Sequence, residues 1–352
     1  MTDYNFSLRE LQSSDSPALV KLISSFDGDM TTQFQVDAYS ALIFGTENLT
    51  LGVGVECAGV DGLVGMGTVR FSQVCFNGET FPLAFLDGLK VDKDFRGQGL
   101  GHQIASWRIK RAREVWGENC VIATGLLRSN NASRAVARKW CSEFIDIAFQ
   151  PLILPVRNLP PKPLKGVQVR ELALDECEQF AFKQNAYYQS YNLYPSVDME
   201  SMTRTLEVSA EGKKPYGFFV AVDSVGNLLA GVKIWRRGLL KSDFFSKPPK
   251  PVRLLNKVTH ILPPDLILRD AAMIGLWHEP DQVKTAQFLW ETLRWELREQ
   301  ATTLVLTLDP RDPLREVIRT RSLFMPRLEI TIAVNSPAPI DRSRLLFGYG
   351  RI

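Results

Sequence analysis

The sequence predicts an α/β (α+β) fold that is built twice in tandem, and three observations support this prediction. The segment at residues 6–11 (Phe-Ser-Leu-Arg-Glu-Leu) is echoed at residues 167–172 (Val-Gln-Val-Arg-Glu-Leu), and each precedes a polar turn and a helical pattern. Prolines at 155, 160, 161 and 163 separate the two regions, and proline fixes φ and removes a donor. A strand–helix–strand–helix order also occurs in each half. We therefore predict a first domain at 1–157, a proline-rich linker at 158–166 and a second domain at 167–352.

In the first half, residues 82–91 form an apolar run that predicts a strand, and a loop with three glycines follows at residues 96–101. A helix is predicted directly after this loop, with Gly117 placed to end it. Its buried stripe has spacings of three and four residues and consists of Ala105, Ile109, Ala112 and Trp116. Residues 120–127 predict the next strand, and residues 130–140 predict a second helix, with Phe144 near its end.

The second half repeats this order without the glycine loop. Residues 266–276 predict the long strand, residues 304–308 the next strand, and residues 313–321 the second helix, which ends near Phe324. The stripe of the intervening helix is formed by Ala286, Leu289, Trp290, Leu293 and Leu297. At the position of the loop, the second half has Glu279, Pro280 and Asp281. The two carboxylates would repel a phosphate, and the proline has no N–H group to donate to one. We therefore expect this half to complete the fold or to shape an acceptor site.

Composition excludes several classes of protein. The chain has 352 residues, of which 45% are hydrophobic, enough for two ordinary cores, and its formal net charge of +3 does not indicate a nucleic-acid partner. Its five cysteines have no Cys-x-x-Cys spacing, and its three histidines are scattered, so we expect free thiols in a reducing cytoplasm and no metal site. Charged residues at the start argue against a signal peptide, and no apolar run approaches the roughly 20 residues that a membrane span needs. A monomer or a homodimer without membrane or nucleic-acid partners is expected.

The glycine loop at residues 96–101 (Arg-Gly-Gln-Gly-Leu-Gly) lies between the predicted strand and the predicted helix. Glycines allow a close approach to a phosphate, and the first turn of a helix offers free N–H groups and a favourable dipole. No Lys-Ser/Thr pair follows Gly101, as a P-loop requires, and the final glycine spacing differs from that of a dinucleotide fingerprint. The spacing Arg96-x-x-Gly99-x-Gly101 instead fits the pattern Arg/Gln-x-x-Gly-x-Gly/Ala.

With Val91-Asp92 upstream and a helix downstream, this segment resembles the acetyl-CoA motif of the GNAT acetyltransferase superfamily. The resemblance implies two tandem GNAT-like domains, each with a mixed, mostly antiparallel sheet flanked by helices, of which the second is degenerate. It also implies an enzyme that transfers an acetyl group from acetyl-CoA to a primary amine of a small molecule or peptide. By the same resemblance, the donor-binding residues are Leu89, Lys90, Val91, Arg96, Gly97, Gln98, Gly99, Leu100, Gly101, His102, Asn130, Asn131 and Arg134. The asparagines are equally interpreted as helix N-caps.

The chain departs from the family pattern where a general acid is expected. Many members place a tyrosine about seven residues after the asparagine, and the two possible registers here give Ala137 and Arg138. The segment 123–126 also lacks the carboxylate that some relatives use, and Glu143 replaces the glycine of the usual Gly-Phe pair. This departure motivates an alternative interpretation, in which the chain is a non-catalytic acyl-CoA-binding sensor or scaffold.

The family resemblance implies that a backbone N–H near residues 89–91 binds the thioester oxygen. Asp87 lies two residues before Leu89 and is therefore expected on the same face of the strand. We hypothesise that Asp87 is the general base, and the alternative is a carboxylate that stabilises a bulge at Gly88. A second candidate base is the terminal carboxylate of Ile352, because some tandem relatives thread the tail into the site and the tail here is apolar and glycine-rich.

Three residues are candidates for acceptor binding. Asp27 and Asp29 lie in a segment that borders the acceptor channel in the family, where they would hold an ammonium group or form a solvated loop. Tyr191 belongs to a tyrosine cluster at helical spacing, which would line a pocket or pack in the core.

Overall fold

A computed structural model describes residues 4–24, 30–34, 49–210, 212–245, 265–318 and 328–348 of the chain. The described strands are β1 (Phe6–Glu10), β2 (Met30–Phe34), β3 (Thr50–Cys57), β4 (Gly65–Phe76), β5 (Glu79–Val91), β6 (Val121–Leu127), β7 (Glu143–Pro155), β8 (Val167–Glu171), β9 (Tyr216–Asp223), β10 (Leu228–Trp235), β11 (Lys241–Phe245), β12 (Ile267–Leu268), β13 (Asp270–His278), β14 (Thr303–Leu308) and β15 (Ile330–Asn335). The described α-helices are α1 (Ser16–Ser24), α2 (Leu100–Trp116), α3 (Asn131–Ala137), α4 (Cys177–Tyr188), α5 (Met199–Glu207), α6 (Val283–Glu296) and α7 (Leu314–Val317). None of these helices is long and apolar enough to cross a membrane.

Twelve of the described strands form one sheet in the order β1-β3-β4-β5-β6-β15-β7-β14-β13-β10-β9-β8. The order is symmetric about its centre, which lies between β15 and β7. Outward from the centre, the order on one side is β6, β5, β4, β3 and β1, and their counterparts on the other side are β14, β13, β10, β9 and β8. Among the described strands, each half has one parallel pair in this sheet, β5 with β6 and β13 with β14. The predicted α/β (α+β) class with two similar, mostly antiparallel halves is confirmed.

The two halves exchange strands at the centre of the sheet. Strand β15 follows the second half in sequence but lies between β6 and β7, so it completes the sheet of the first half. Strand β7 pairs with β15 through its first part and with β14 through residues 150–155. A smaller sheet also joins the halves, because β11 pairs with both β2 and β12. The domain bounds 1–157 and 167–352 stay predictions, and the sheet itself is shared by the two segments.

Helix α2 packs on one face of the first half and forms as its sequence predicts. Ala105 and Ala112 are buried against the sheet, Ile109 and Trp116 pack beside them, and Gly117 ends the helix with a φ of 81°. Helix α6 has the same relation to the second half, where all five residues of its predicted stripe are buried. Helix α1 lies against the opposite face of the first half, with Leu19 and Leu22 in a cluster around Met66.

A segment of the second half and the end of the chain cover that opposite face nearer the centre. Leu193 and Leu346 are buried against strands of the first half, together with Ile340. Asn192, which is 0% exposed, accepts a hydrogen bond from the Asn77 backbone N–H at 2.7 Å. Its amide also donates to Asp341 O at 2.9 Å. These buried polar contacts fix the tail at residues 341–348 against both halves.

Three predicted elements differ in their bounds. The helix predicted at 130–140 ends as α3 at Ala137, and the chain continues in hydrogen-bonded turns to Cys141. The strand predicted at 266–276 begins after Leu266, which has a φ of 57°, and Arg269 divides it into β12 and β13. The helix predicted at 313–321 is shorter, spanning Leu314–Val317, and residues 319–327 with Phe324 lie outside the described residues.

Candidate functional site

The glycine loop has the geometry of an anion cradle. Gly97 and Gly99 have φ values of 82° and 79°, which L side chains rarely adopt, and Gly99 is the N-cap of α2. The first backbone N–H groups of α2 that have a hydrogen-bond acceptor are those of His102 and Gln103, and both donate to Gly99 O. Within the part of the chain that the structure describes, the backbone N–H groups of residues 97–101 donate to no acceptor. A seventeen-residue helix therefore directs free N–H groups and the positive end of its dipole at one place.

A cavity of about 370 Å³ opens beside this loop where β5 and β6 diverge. The parallel pairing of these strands ends at Phe85 and Ala123, and Thr124 Oγ1 donates to Leu86 O at 2.7 Å just beyond that point. Residues from β5, β6, α2 and α3 form the cavity wall, with Ile330 of the exchanged strand β15. A Cβ on Gly101 would lie 3.2 Å from the side chain of Val136, a wall residue, so the last glycine of the loop packs against the cavity wall.

A β-bulge lies at the mouth of this cavity. Gly88 and Leu89 together face a single residue of β4, and Gly88 has a φ of 62°. Because the bulge inserts one residue, Asp87 shares a face with Lys90, and Leu89 lies on the opposite face, packed towards α2. The expectation that Asp87 and Leu89 share a face is therefore wrong, since strict alternation holds only in an unbulged strand. The extra residue also leaves backbone polar groups of the bulge outside the ladder.

Asp87 lines the cavity and is held on several sides. Its Oδ1 accepts the Gly88 backbone N–H at 2.8 Å, and its Oδ2 lies 3.3 Å from Arg70 Nη2. The carboxylate thus stabilises the bulge, as one sequence interpretation proposes. It also lies in the wall beside the predicted thioester position, so its assignment as base stays a prediction.

Arg108 is the wall residue that sequence reasoning missed. It is 3% exposed, and its Nη1 donates to Thr68 O at 3.2 Å and to Asp87 O at 3.0 Å. Burial lowers the pKa of its guanidinium to about 10, and the charge of Asp87 opposes that shift. The apolar pattern identifies the buried face of α2 only by its apolar residues, so it does not identify a buried arginine on that face. Its position three residues after Ala105, on the same helix face, was the available signal.

Helix α3 closes the cavity on its remaining side. Asn130 lies in the wall, and its Oδ1 accepts the Ser133 backbone N–H at 3.0 Å, so the N-cap interpretation is confirmed. Arg134 donates to Asp146 Oδ1 and to Thr331 Oγ1, each at 3.0 Å. The hydrogen bonds that Asp146 accepts from Arg134 and from Thr331 Oγ1 lower its pKa. Because the Arg134 guanidinium already has protein partners, its role at a donor phosphate stays a prediction.

The positions where the family places a tyrosine carry no acid here. Ala137 is buried in the cavity wall, and Arg138 and Asn131 are exposed. Among the described residues of the wall, Asp87 and Arg108 are the only ionisable ones. The described residues also contain no group of three or more His, Cys, Asp or Glu side chains that could hold a metal ion.

The structure places the predicted acceptor residues apart from the cavity or does not describe them. Asp27, Asp29 and Ile352 lie outside the described residues. Tyr191 is 4% exposed and packs in an aromatic cluster of the second half with Tyr188, so the core interpretation describes its surroundings. Its role in acceptor binding stays a prediction.

The docked tail ends in the second half. Phe347 packs on Tyr188 and Tyr194, and its backbone N–H donates to Asn192 O at 2.9 Å. A Cβ on Gly348 would lie 2.1 Å from Thr307 O in β14, beyond the end of the β13–β14 pairing. The chain's own tail and the tyrosine cluster therefore fill the region that corresponds to the first half's cavity. Glu279, which lies where the second half lacks the glycine loop, accepts a hydrogen bond from Lys183 Nζ at 2.5 Å.

Comparisons with known proteins agree with this geometry. Residues 19–142 match the model of the acetyltransferase (GNAT) family, and no curated protein matches the sequence. The structure is similar to Saccharomyces cerevisiae N-myristoyltransferase with bound myristoyl-CoA, with a TM-score of 0.67 at 9% identity over 94% of this chain and 82% of that chain. It is also similar to a GCN5-related N-acetyltransferase from Sphaerobacter thermophilus, with a TM-score of 0.56 at 12% identity over 94% of each chain. The corresponding protein from Kribbella flavida gives 0.53 at 13% identity, over 94% of this chain and 71% of that chain. At these identities the structural likeness shows a shared fold.

Proposed function

We propose that this chain, which contains a GNAT acetyltransferase domain at residues 19–142, transfers an acetyl group from acetyl-CoA to a primary amine of a small molecule or peptide. The observation that carries this proposal is the position of the N–H cradle at residues 97–101 against the wall of the cavity between β5 and β6. A CoA thioester has a pyrophosphate, from which an uncharged pantetheine arm runs to the thioester. The cradle fits the first and the cavity, with its mostly apolar wall, fits the second.

In this proposal the bulge and Asp87 perform the chemistry. A backbone N–H near residues 89–91, at the bulge, donates to the thioester oxygen, where such a donor contributes a few kcal/mol. Asp87 accepts a proton from the acceptor's ammonium group, directly or through water, and the neutral amine that results then attacks, because a lysine-type amine with a pKa near ~10.4 is protonated at neutral pH. The terminal carboxylate of Ile352 is the alternative base.

The alternative function is a non-catalytic acyl-CoA-binding sensor. Ala137 in the cavity wall and Arg138 outside it favour this alternative, because neither can protonate the departing thiolate as the family's tyrosine does. A long-chain acyl donor is a further variant, supported by the likeness to a protein crystallised with myristoyl-CoA. We further propose a cytoplasmic monomer or homodimer, and the five free cysteines support that location.

Thiol release from a panel of acyl-CoA thioesters, measured with and without amines, tests the proposal. We expect amine-dependent release and a product whose mass is increased by one acyl group. Asp87→Asn should reduce turnover by a factor of about 10²–10⁴ with little change in donor affinity, as loss of a general base does. Donor binding without any amine-dependent release would favour the sensor, and absence of donor binding would refute both functions.

A further inference from the structure

Arg108 is an unusual cation because its buried guanidinium donates to no carboxylate oxygen of the described residues. Among the described residues, its guanidinium forms no ion pair, and its hydrogen bonds go to three backbone carbonyls, those of Ile104, Thr68 and Asp87. Its Nε and Nη1 make these bonds, and Nη2 has no hydrogen-bond partner in the described chain. A buried charge that is not paired costs several kcal/mol, so a site that keeps one needs a compensating interaction.

The surroundings of Arg108 direct this charge at the cavity. Its guanidinium lies beneath the bulge, because its Nη1 donates to Asp87 O, and it forms part of the wall. Gly67 makes room for it, since a Cβ there would lie 3.1 Å from both Arg108 Cζ and Nε. Three carbonyl acceptors and close packing therefore fix the guanidinium before any ligand binds.

We propose that Arg108 is a catalytic residue whose Nη2 stabilises the negative charge that forms on the thioester oxygen during transfer; this rests on the proposed function. When the neutral amine adds to the thioester carbon, the C–N bond forms and the carbonyl π electrons move to the oxygen. When the intermediate collapses, the C=O bond re-forms and the C–S bond breaks, with its electron pair leaving on sulfur. The added nitrogen gives its extra proton to the departing thiolate, directly or through water, so that CoA leaves as the thiol. A fixed cation beside the oxygen favours this negatively charged tetrahedral intermediate.

The ionisable groups of the wall favour this role over recognition of a carboxylated acyl group. Asp87 is the other ionisable residue among the described wall residues, and its negative charge opposes a permanent anion in the same cavity. A transient oxyanion exists only when the amine has added. Arg108 would therefore supply charge stabilisation in a site whose sequence lacks the family's tyrosine.

Three substitutions of Arg108 test this proposal. Arg108→Met removes the charge and the donors, Arg108→Gln keeps a neutral donor for the bulge carbonyls, and Arg108→Lys keeps the charge. Arg111→Met is the matched control, because Arg111 lies on the same helix and pairs with Glu114 at its surface. Turnover and KM are measured by thiol release, acetyl-CoA affinity by calorimetry and folding by urea unfolding. The panel includes succinyl-CoA as a donor with a terminal carboxylate.

We expect Arg108→Met to lower kcat by about 100-fold while the Kd of acetyl-CoA changes less than about threefold. Arg108→Lys should exceed Arg108→Gln in kcat by about tenfold, and this comparison decides the matter if Arg108→Met does not fold. Equal kcat values for Lys, Gln and wild type would overturn the proposal, as would a loss of donor affinity that parallels the loss of kcat. A selective loss of succinyl-CoA binding would assign Arg108 to acyl recognition instead. If the wild type turns over but the Arg108 variants do not show the expected effects, the role of Arg108 is refuted and the proposed function stands. A wild type without turnover refutes both.

Discussion

Gly348→Ala is expected to dislodge the docked tail, because the tail passes the sheet without room for a methyl group. The added Cβ would lie 2.1 Å from Thr307 O, whereas real Cβ contacts stay above 3.0 Å, so the backbones must separate by roughly 1 Å. Thr307 lies opposite Pro151 in the centre of the sheet, so the tail rather than the strand is expected to move. Leu346 and Phe347 are buried, and each contributes about 1.5–3 kcal/mol by burial. Partial displacement should therefore reduce the free energy of unfolding by about 3 kcal/mol.

Urea unfolding of Gly348→Ala, together with its turnover, measures this effect. A chain truncated after Gly348 is the matched control, because it keeps the docked residues and removes the last four residues together with the terminal carboxylate of Ile352. If that carboxylate is the base, the truncated chain should lose turnover and retain its stability, whereas Gly348→Ala should lose both. An unchanged urea midpoint for Gly348→Ala would refute the packing argument, and full activity of the truncated chain would dismiss the terminal base.

Three further predictions concern the cradle, a buried acid and a buried amide. Gly99→Glu should raise the Kd of acetyl-CoA more than 100-fold, whereas Gly99→Ala, which has the same backbone strain of about 1–2 kcal/mol without the charge, should bind far better; calorimetry distinguishes them. Burial raises the pKa of Asp312, which is 3% exposed, from 3.8 to about 6, so the folded protein has its full stability below pH 4 and loses about 3 kcal/mol as the pH rises through 6. The urea midpoint of Asp312→Asn should therefore exceed that of the wild type at pH 7.5 and not at pH 4, and parallel pH profiles of the two proteins would contradict this. Asn192→Ala should cost about 3 kcal/mol in urea unfolding, since it leaves two buried partners unsatisfied, and a change below about 1 kcal/mol would contradict that reading.

Local features of the fold were predictable because they depend on neighbours in sequence. The apolar stripe of α2 and the terminal Gly117 specify that helix, and the glycine spacing at residues 97–101 specifies its N-terminus. The repeated order of elements likewise predicted two similar halves. The confirmed match to the GNAT family at residues 19–142 agrees with the motif that the loop carries.

Features that depend on distant pairing were not predictable in the same way. The insertion of β15 between β6 and β7 is decided by hydrogen bonds between residues about 200 positions apart, on which local periodicity has no bearing. The bulge at Gly88 places Leu89 on the other face of β5, and no alternation rule detects an inserted residue. Arg108 escaped notice because a buried cation interrupts the apolar pattern by which buried positions are recognised.

A crystal structure of the protein with acetyl-CoA tests the central claim most directly. The account predicts pyrophosphate oxygens within hydrogen-bond distance of the backbone N–H groups of residues 97–101, and a thioester carbonyl at the Gly88–Leu89 bulge between Asp87 and Arg108. Phosphates bound away from the loop, or an acyl group outside the cavity between β5 and β6, would contradict it.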